Sequence, residues 1–212
     1  TPLTEKLEEE GINIHYKDNI SLVPVKFMDR ENTVVIYTPA VPDNMSEKVF
    51  FKEGNFTMLK RSEILGELTD GKKALCVAGT HGKTTTSTLL SHILNQRAER
   101  VNAFLGGISK NYESNLIVSS CDQVVVEADE YDRSFLRLKP NMAIVTATDA
   151  DHLDIYGTKE ELLRTFSEFT SLIEENGVLI MKKGIEMVPN TKESVKVYTY
   201  SGTEKADFYA EN

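Results

Sequence analysis

Residues 74–86 read ALCVAGTHGKTTT, and the fold turns on what this stretch is. Residues 74–78 form a short apolar run bounded by Gly79, the signature of a buried parallel strand. Beyond the loop, Leu89, Leu90, Ile93 and Leu94 recur at helical spacing, so the loop opens a helix. A helix start offers unpaired N–H groups and the positive end of the macrodipole, which together attract phosphate. Gly79 and Gly82 let the backbone curl close to an anion with no Cβ in the way. The general phosphate-loop pattern has glycine six residues before the lysine, where this chain has Val77; Gly79 stands four before Lys83 instead. In this shorter form Gly79, Thr80, His81, Gly82, Lys83, Thr84 and Thr85 make the candidate nucleotide-binding loop, with Lys83 reaching the β- and γ-phosphates of ATP and Thr84 ligating Mg²⁺. An ordinary glycine turn is the plainer reading. The combination of strand, G-K-T and helix favours the phosphate loop.

Further along, QVVVEAD, MAIVTAT and GVLIM read as nearly all-apolar strands with helices between them. Repeated strand and helix predict an α/β fold whose mostly parallel sheet is covered on both faces. Ligands gather at the carboxyl edges of such sheets, and two of these strands end in acidic clusters. Glu127, Asp129, Glu130 and Asp132 follow the first; Asp149, Asp151, His152 and Asp154 follow the second. Carboxylates supply oxygen ligands for Mg²⁺, and an imidazole can take a further metal or a phosphate contact. The bland alternatives are a solvated acidic loop that caps a helix and a histidine of the surface or core.

Toward the amino end, TPLTEKLEEEG reads as a helix, with Thr1 as its cap, Pro2 at its first position and Gly11 at its end. INIHY and TVVIYT read as strands, and Ser46 to Gly54 and RSEILGEL as helices. The polar hinge Thr69-Asp-Gly-Lys-Lys is the expected boundary between a domain at 1–70 and another at 71–212. A start on a helix with no initiator methionine fits a chain that begins inside a domain. Net charge is −9, and acidic groups outnumber basic ones on both sides of the hinge, against a nucleic-acid footprint. Two cysteines, Cys76 and Cys121, give no framework for disulfides or zinc and fit a reducing cytoplasm. No apolar run approaches the ~18 residues of a membrane helix, and no signal peptide is visible.

G-T-H-G-K-T-T, then E-A-D-E, then D-H-L-D, in this order and spacing, resemble the central ATPase domain of the Mur ligases of peptidoglycan synthesis. The histidine within the loop is similar to the branch that adds L-alanine to UDP-N-acetylmuramate. Residues 33–45 and KRSEILGEL resemble the end of that branch's UDP-substrate domain, which is Rossmann-like. The family pattern also includes a glycine-rich first strand before TPLTEKL and an amino-acid-binding third domain, neither of which these residues contain. Murein peptide ligase, a recycling relative that attaches a whole peptide to the same nucleotide sugar, shares GTHGKT and E-A-D-E. The resemblance implies transfer of the γ-phosphate of ATP to the lactyl carboxylate of UDP-N-acetylmuramate, then attack of the L-alanine amine on the acyl phosphate. It implies that Lys83 stabilises the moving phosphoryl group, that Thr84 and Glu127 hold one Mg²⁺, and that His152 holds a second. Asp129, Glu130 and Asp151 rank behind them, as water-mediated or supporting contacts. Thr38, Pro39 and Ala40 are expected to touch the UDP portion, and Gly106 and Gly107 of AFLGGI to approach the sugar unless they are merely a turn after a strand. A nucleotide-binding fragment without activity by itself, and a small-molecule kinase, use the same loop.

Overall fold

A computed structural model of the chain describes residues 1–97 and 100–211; residue 212, the end of the expected second domain, lies outside them. By its contacts the chain divides into Thr1–Ile64 and Leu65–Asn212. In the first unit, α1 (Pro2–Glu9) is capped by the Thr1 hydroxyl, which accepts from the Thr4 N–H at 3.2 Å, and Gly11 leaves it at φ +88. β1 (Val34–Tyr37) and β2 (Thr57–Lys60) pair in parallel, with α2 (Ser46–Glu53) between them in sequence. The Asp18 carboxylate accepts from the Ser46 hydroxyl and N–H and from the Glu47 N–H. These bonds, the hydroxyl first, hold its pKa below the usual carboxylate value.

INIHY, expected as a strand, is not one: residues 12–16 are irregular. Their alternation fits a pleat, but a strand also needs a neighbour for its backbone groups. Among the described residues none pairs with this segment, and Ile12 and Tyr16 lie exposed.

α3 (Arg61–Thr69) leads into β3 (Lys73–Ala78), α4 (Lys83–Asn95), β4 (Asn102–Ser109), β5 (Ser114–Ile117), β6 (Gln123–Glu127) and β7 (Met142–Val145). After these come α5 (Leu153–Tyr156), α6 (Lys159–Ser171), β8 (Val178–Lys182), β9 (Lys196–Ser201) and β10 (Phe208–Tyr209). Among the described residues the second unit has one eight-stranded sheet, in the order β10-β9-β8-β7-β3-β6-β4-β5. Every pairing is parallel except β4 with β5. Alternation along each strand sends side chains to opposite faces, and two clusters result. Cys76, Val126, Val145 and Leu179 pack with Leu162, Phe166 and Phe169 of α6. Leu75, Val101, Ala103 and Val125 pack with Leu90 and Leu94 of α4. Leu89 and Ile93, which share the helical spacing, are exposed instead. Phe135 joins the α6 face, stacked on Phe169 at 4.7 Å. Thr158 starts α6, its hydroxyl accepting from the Glu161 N–H at 3.2 Å.

Strand order positions the chemistry. β3 lies between β6 and β7, with Val77 opposite Glu127 and Ala78 opposite Val145. The loop after β3 therefore emerges between the two acidic strand ends that lie 43 and more residues away in sequence.

Candidate functional site

The loop 79–82 is held by its neighbours. Gly79 has φ +134, and a Cβ there would meet Thr146 Oγ1 at 2.2 Å and the Ala147 nitrogen at 2.8 Å, so glycine is required by space as well as by conformation. Thr80 donates its N–H to the Ala147 carbonyl at 3.0 Å, and its hydroxyl accepts from the Asp149 N–H at 3.1 Å. The Thr146 hydroxyl lies within hydrogen-bond distance of the Ala78 and His81 carbonyls, which ties the start and the middle of the loop to β7. Gly82, φ +83, precedes Lys83, the first residue of α4. The amino end of that helix, with its free N–H groups, thus faces the carboxyl edge of the sheet.

Two contacts join the loop to the end of β6. The Thr84 hydroxyl donates to Glu127 Oε1 at 2.8 Å, while Glu127 Oε2 accepts from the Gly106 N–H at 2.8 Å and lies 3.4 Å from Ser87 Oγ. Gly106 and Gly107 lie within β4 and are not a turn after it. A Cβ on Gly106 would come within 2.3 to 2.6 Å of the Glu127 carboxylate. Gly106 is therefore the cradle in which that carboxylate rests. Lys83 Nζ donates to the Gly79 carbonyl at 2.8 Å and to Glu130 Oε1 at 2.9 Å, with Oε2 at 2.8 Å. That second oxygen is too poorly directed for a hydrogen bond, so its contact with the ammonium is ionic only.

Glu130 is fully buried, which a carboxylate tolerates only when paired. The backbone around it is unusual: Asp132 and Arg133 both adopt left-handed conformations, φ +53 and +55. The Tyr156 hydroxyl donates to the Glu130 carbonyl at 2.5 Å. Burial, and then the nearby Glu130 charge, push the Tyr156 pKa up. His152, itself left-handed at φ +50, brings Nε2 to 3.7 Å from Glu130 Oε1 and packs edge-on against Tyr131 at 5.4 Å. Its backbone N–H donates to the Asp151 carboxylate at 2.8 Å. Glu130, Asp151 and His152 each offer a ligand atom within 4.8 Å of the others.

The structure thus gathers Gly79, Thr80, His81, Gly82, Lys83, Thr84, Glu127, His152 and Gly106 at one edge. Thr85 is in the first turn of α4 and Gly107 is beside Thr84, whose Cγ2 would lie 3.4 Å from a Cβ there. Thr38, Pro39 and Ala40 follow β1 in the first unit, where the Val41 N–H donates to the Thr38 carbonyl at 3.1 Å. Sequence reasoning ranked Glu130 low and did not single out Thr146. The first is one of four acids in a row of similar residues, and only burial distinguishes it. The second carries no local signal at all.

Hydroxyl, carboxylate and helix amides in this arrangement suit an anion with its cation. Thr84 and Glu127 are hard oxygen donors in contact, and the glycine cradle fixes the carboxylate, so the residues fit a bound Mg²⁺.

Residues 77–212 match the profile of the Mur ligase middle domain. The chain is 55% identical over 211 residues to UDP-N-acetylmuramate–L-alanine ligase of Parabacteroides distasonis, covering 99% of this chain and 46% of that protein. It therefore spans about half the length of the curated relatives it matches. The crystal structure of UDP-N-acetylmuramate-alanine ligase from Thermotoga maritima superposes with a TM-score of 0.81 at 25% identity, over 97% of this chain and 45% of that one. The crystal structure of UDP-N-acetylmuramate:L-alanyl-gamma-D-glutamyl-meso-diaminopimelate ligase from Neisseria meningitides gives the same TM-score at 20% identity, over 94% of this chain and 66% of that one, a likeness of fold.

Proposed function

This chain belongs to the Mur ligase family, and on that premise we propose that a full-length protein carrying these residues is an ATP-dependent ligase of peptidoglycan synthesis. It joins L-alanine to the lactyl carboxylate of UDP-N-acetylmuramate. The observation that supports this reading most is the pairing of the loop with the end of β6: Lys83 with Glu130, and Thr84 with Glu127. Such an edge suits phosphoryl transfer, in which positioning and electrostatics supply most of the catalysis. In this reading residues 71–212 bind ATP, and residues 1–70, with Thr38, Pro39 and Ala40, belong to a UDP-substrate domain. Gly106 and Gly107 are assigned to the sugar side, though Gly106 also has the carboxylate of Glu127 to support.

A carboxylate oxygen of the substrate attacks the γ-phosphorus, the bond to the bridging oxygen breaks, and ADP leaves. The alanine amine then attacks the acyl carbon, and phosphate departs as an amide forms. Lys83 and the loop N–H groups offset charge on the phosphate oxygens. Thr84 and Glu127 would hold Mg²⁺, and His152, with Asp151 and Glu130 beside it, would hold a second ion. Bound Mg²⁺ neutralises phosphate charge and makes the γ-phosphorus more electrophilic. Nucleotide substrates imply a cytoplasmic location, and no helix of the described residues is long and apolar enough to cross a membrane.

The test is ADP release by the full-length protein, which should require UDP-N-acetylmuramate and L-alanine together. Release with one acceptor alone would point to a kinase. A preference for tripeptide over L-alanine would move the assignment to the recycling ligases.

A further inference from the structure

The loop lysine has few donors to spare. An ammonium has three N–H bonds; in Lys83 one goes to the Gly79 carbonyl at 2.8 Å and one to Glu130 Oε1 at 2.9 Å, while Glu130 Oε2 makes an ionic contact at 2.8 Å. Only 14% of the Lys83 side chain is exposed and none of Glu130. One N–H remains, but the ammonium charge is already offset by Glu130, so a phosphate must share Lys83 with this carboxylate or displace it. Glu130, once relieved of Lys83, would be a buried carboxylate in need of another positive partner.

We infer that Glu130 is a positioning residue that competes with the nucleotide for Lys83: it occupies the ammonium as a phosphate would. The inference rests on the nucleotide reading of the loop. It explains why this acid, unlike the partly exposed Asp129 and Asp132, is sealed from solvent: only a desolvated carboxylate competes effectively with a phosphate for one ammonium. The left-handed turn at Asp132 and Arg133 and the Tyr156 bond to the Glu130 carbonyl fix the backbone from which it reaches inward.

Glu130→Gln keeps the shape and removes the charge. Lys83 then lacks a counter-charge until a phosphate supplies one, so the variant should bind ATP more tightly than wild type. A factor of about ten is expected, at the lower end of usual coupling between sites. The measurement is the ATP dissociation constant of the full-length protein by calorimetry, taken in EDTA so that no cation takes part. The thermal shift on adding ATP should likewise be larger in the variant. A residue needed only for structure would weaken binding or leave it alone. Equal or weaker ATP binding by a folded Glu130→Gln protein overturns the inference while the nucleotide reading stands. Failure of wild type to bind ATP at all overturns both. Should Glu130→Gln not fold, Glu130→Asp withdraws the carboxylate by one methylene and should shift affinity in the same direction by a smaller factor; no gain there is equally decisive against the inference.

Discussion

Gly106→Ala is a one-carbon perturbation on β4 aimed at the Glu127 carboxylate, which accepts from the Gly106 N–H. An alanine Cβ would sit 2.3 Å from Glu127 Oε1, 2.5 Å from Cδ and 2.6 Å from Oε2. Real non-bonded carbon and oxygen atoms stay more than 3 Å apart, so the carboxylate must retreat by about 1 Å. A retreat of that size takes Oε1 from 2.8 Å to beyond hydrogen-bond reach of the Thr84 hydroxyl and breaks the bond from the Gly106 N–H. The obstacle is the far end of a side chain with solvent nearby, so the fold should survive with a loss of about 1 kcal/mol. Metal ligands tolerate only about 0.2 Å of error, and displacing the support of a ligand usually costs about 10–100-fold in metal affinity. The assay is ATP turnover by the full-length protein as a function of Mg²⁺ concentration, with urea unfolding as the stability control. The expected result is an apparent Mg²⁺ constant raised by about 10–100-fold, with a near-normal urea midpoint. Gly107→Ala, whose Cβ meets Thr84 Cγ2 at an ordinary 3.4 Å, is the matched control for the metal and should leave the apparent Mg²⁺ constant unchanged. A Gly106→Ala protein with unaltered Mg²⁺ dependence would refute the assignment of Glu127 as a ligand.

Two further outcomes follow from burial. Lys83→Ala should lose about two to three orders of magnitude in turnover. Because it also leaves Glu130 buried without its cation, it should cost about 3–5 kcal/mol of stability in urea titration; adding Glu130→Gln should recover part of that loss, and an undiminished midpoint in the single variant would contradict the pairing. The thiols should separate in reactivity: Cys76 is wholly buried and its pKa is pushed up to about 12 by desolvation, whereas Cys121 is partly exposed. Iodoacetamide at pH 8 should therefore label Cys121 alone in the folded protein and both in urea, as read by peptide mass spectrometry; equal labelling of Cys76 in the native protein would show that its strand is not closed.

What the sequence determined by itself was local. The run ALCVA, the glycines at 79 and 82, and the leucines beyond them specify a strand, a turn and a helix through periodicity and backbone freedom, which act over a few residues. The parallel sheet followed from repetition of that unit, and the loop residues Lys83 and Thr84 followed from its chemistry. INIHY shows where such reasoning ends: its alternation is that of a strand, but strand formation is decided by a partner that the pattern does not contain. The site was legible only in part for the same reason. Glu127 and Glu130 are alike in sequence, three positions apart on the same acidic stretch, yet one rests on Gly106 and Thr84 while the other is sealed against Lys83. Strand order, by setting β3 between β6 and β7 and β4 beside β6, makes neighbours of Gly106, Glu127, Thr146 and the loop. Burial then gives each acid its role, since the dielectric around a charge is a property of everything packed about it and not of its place in the chain.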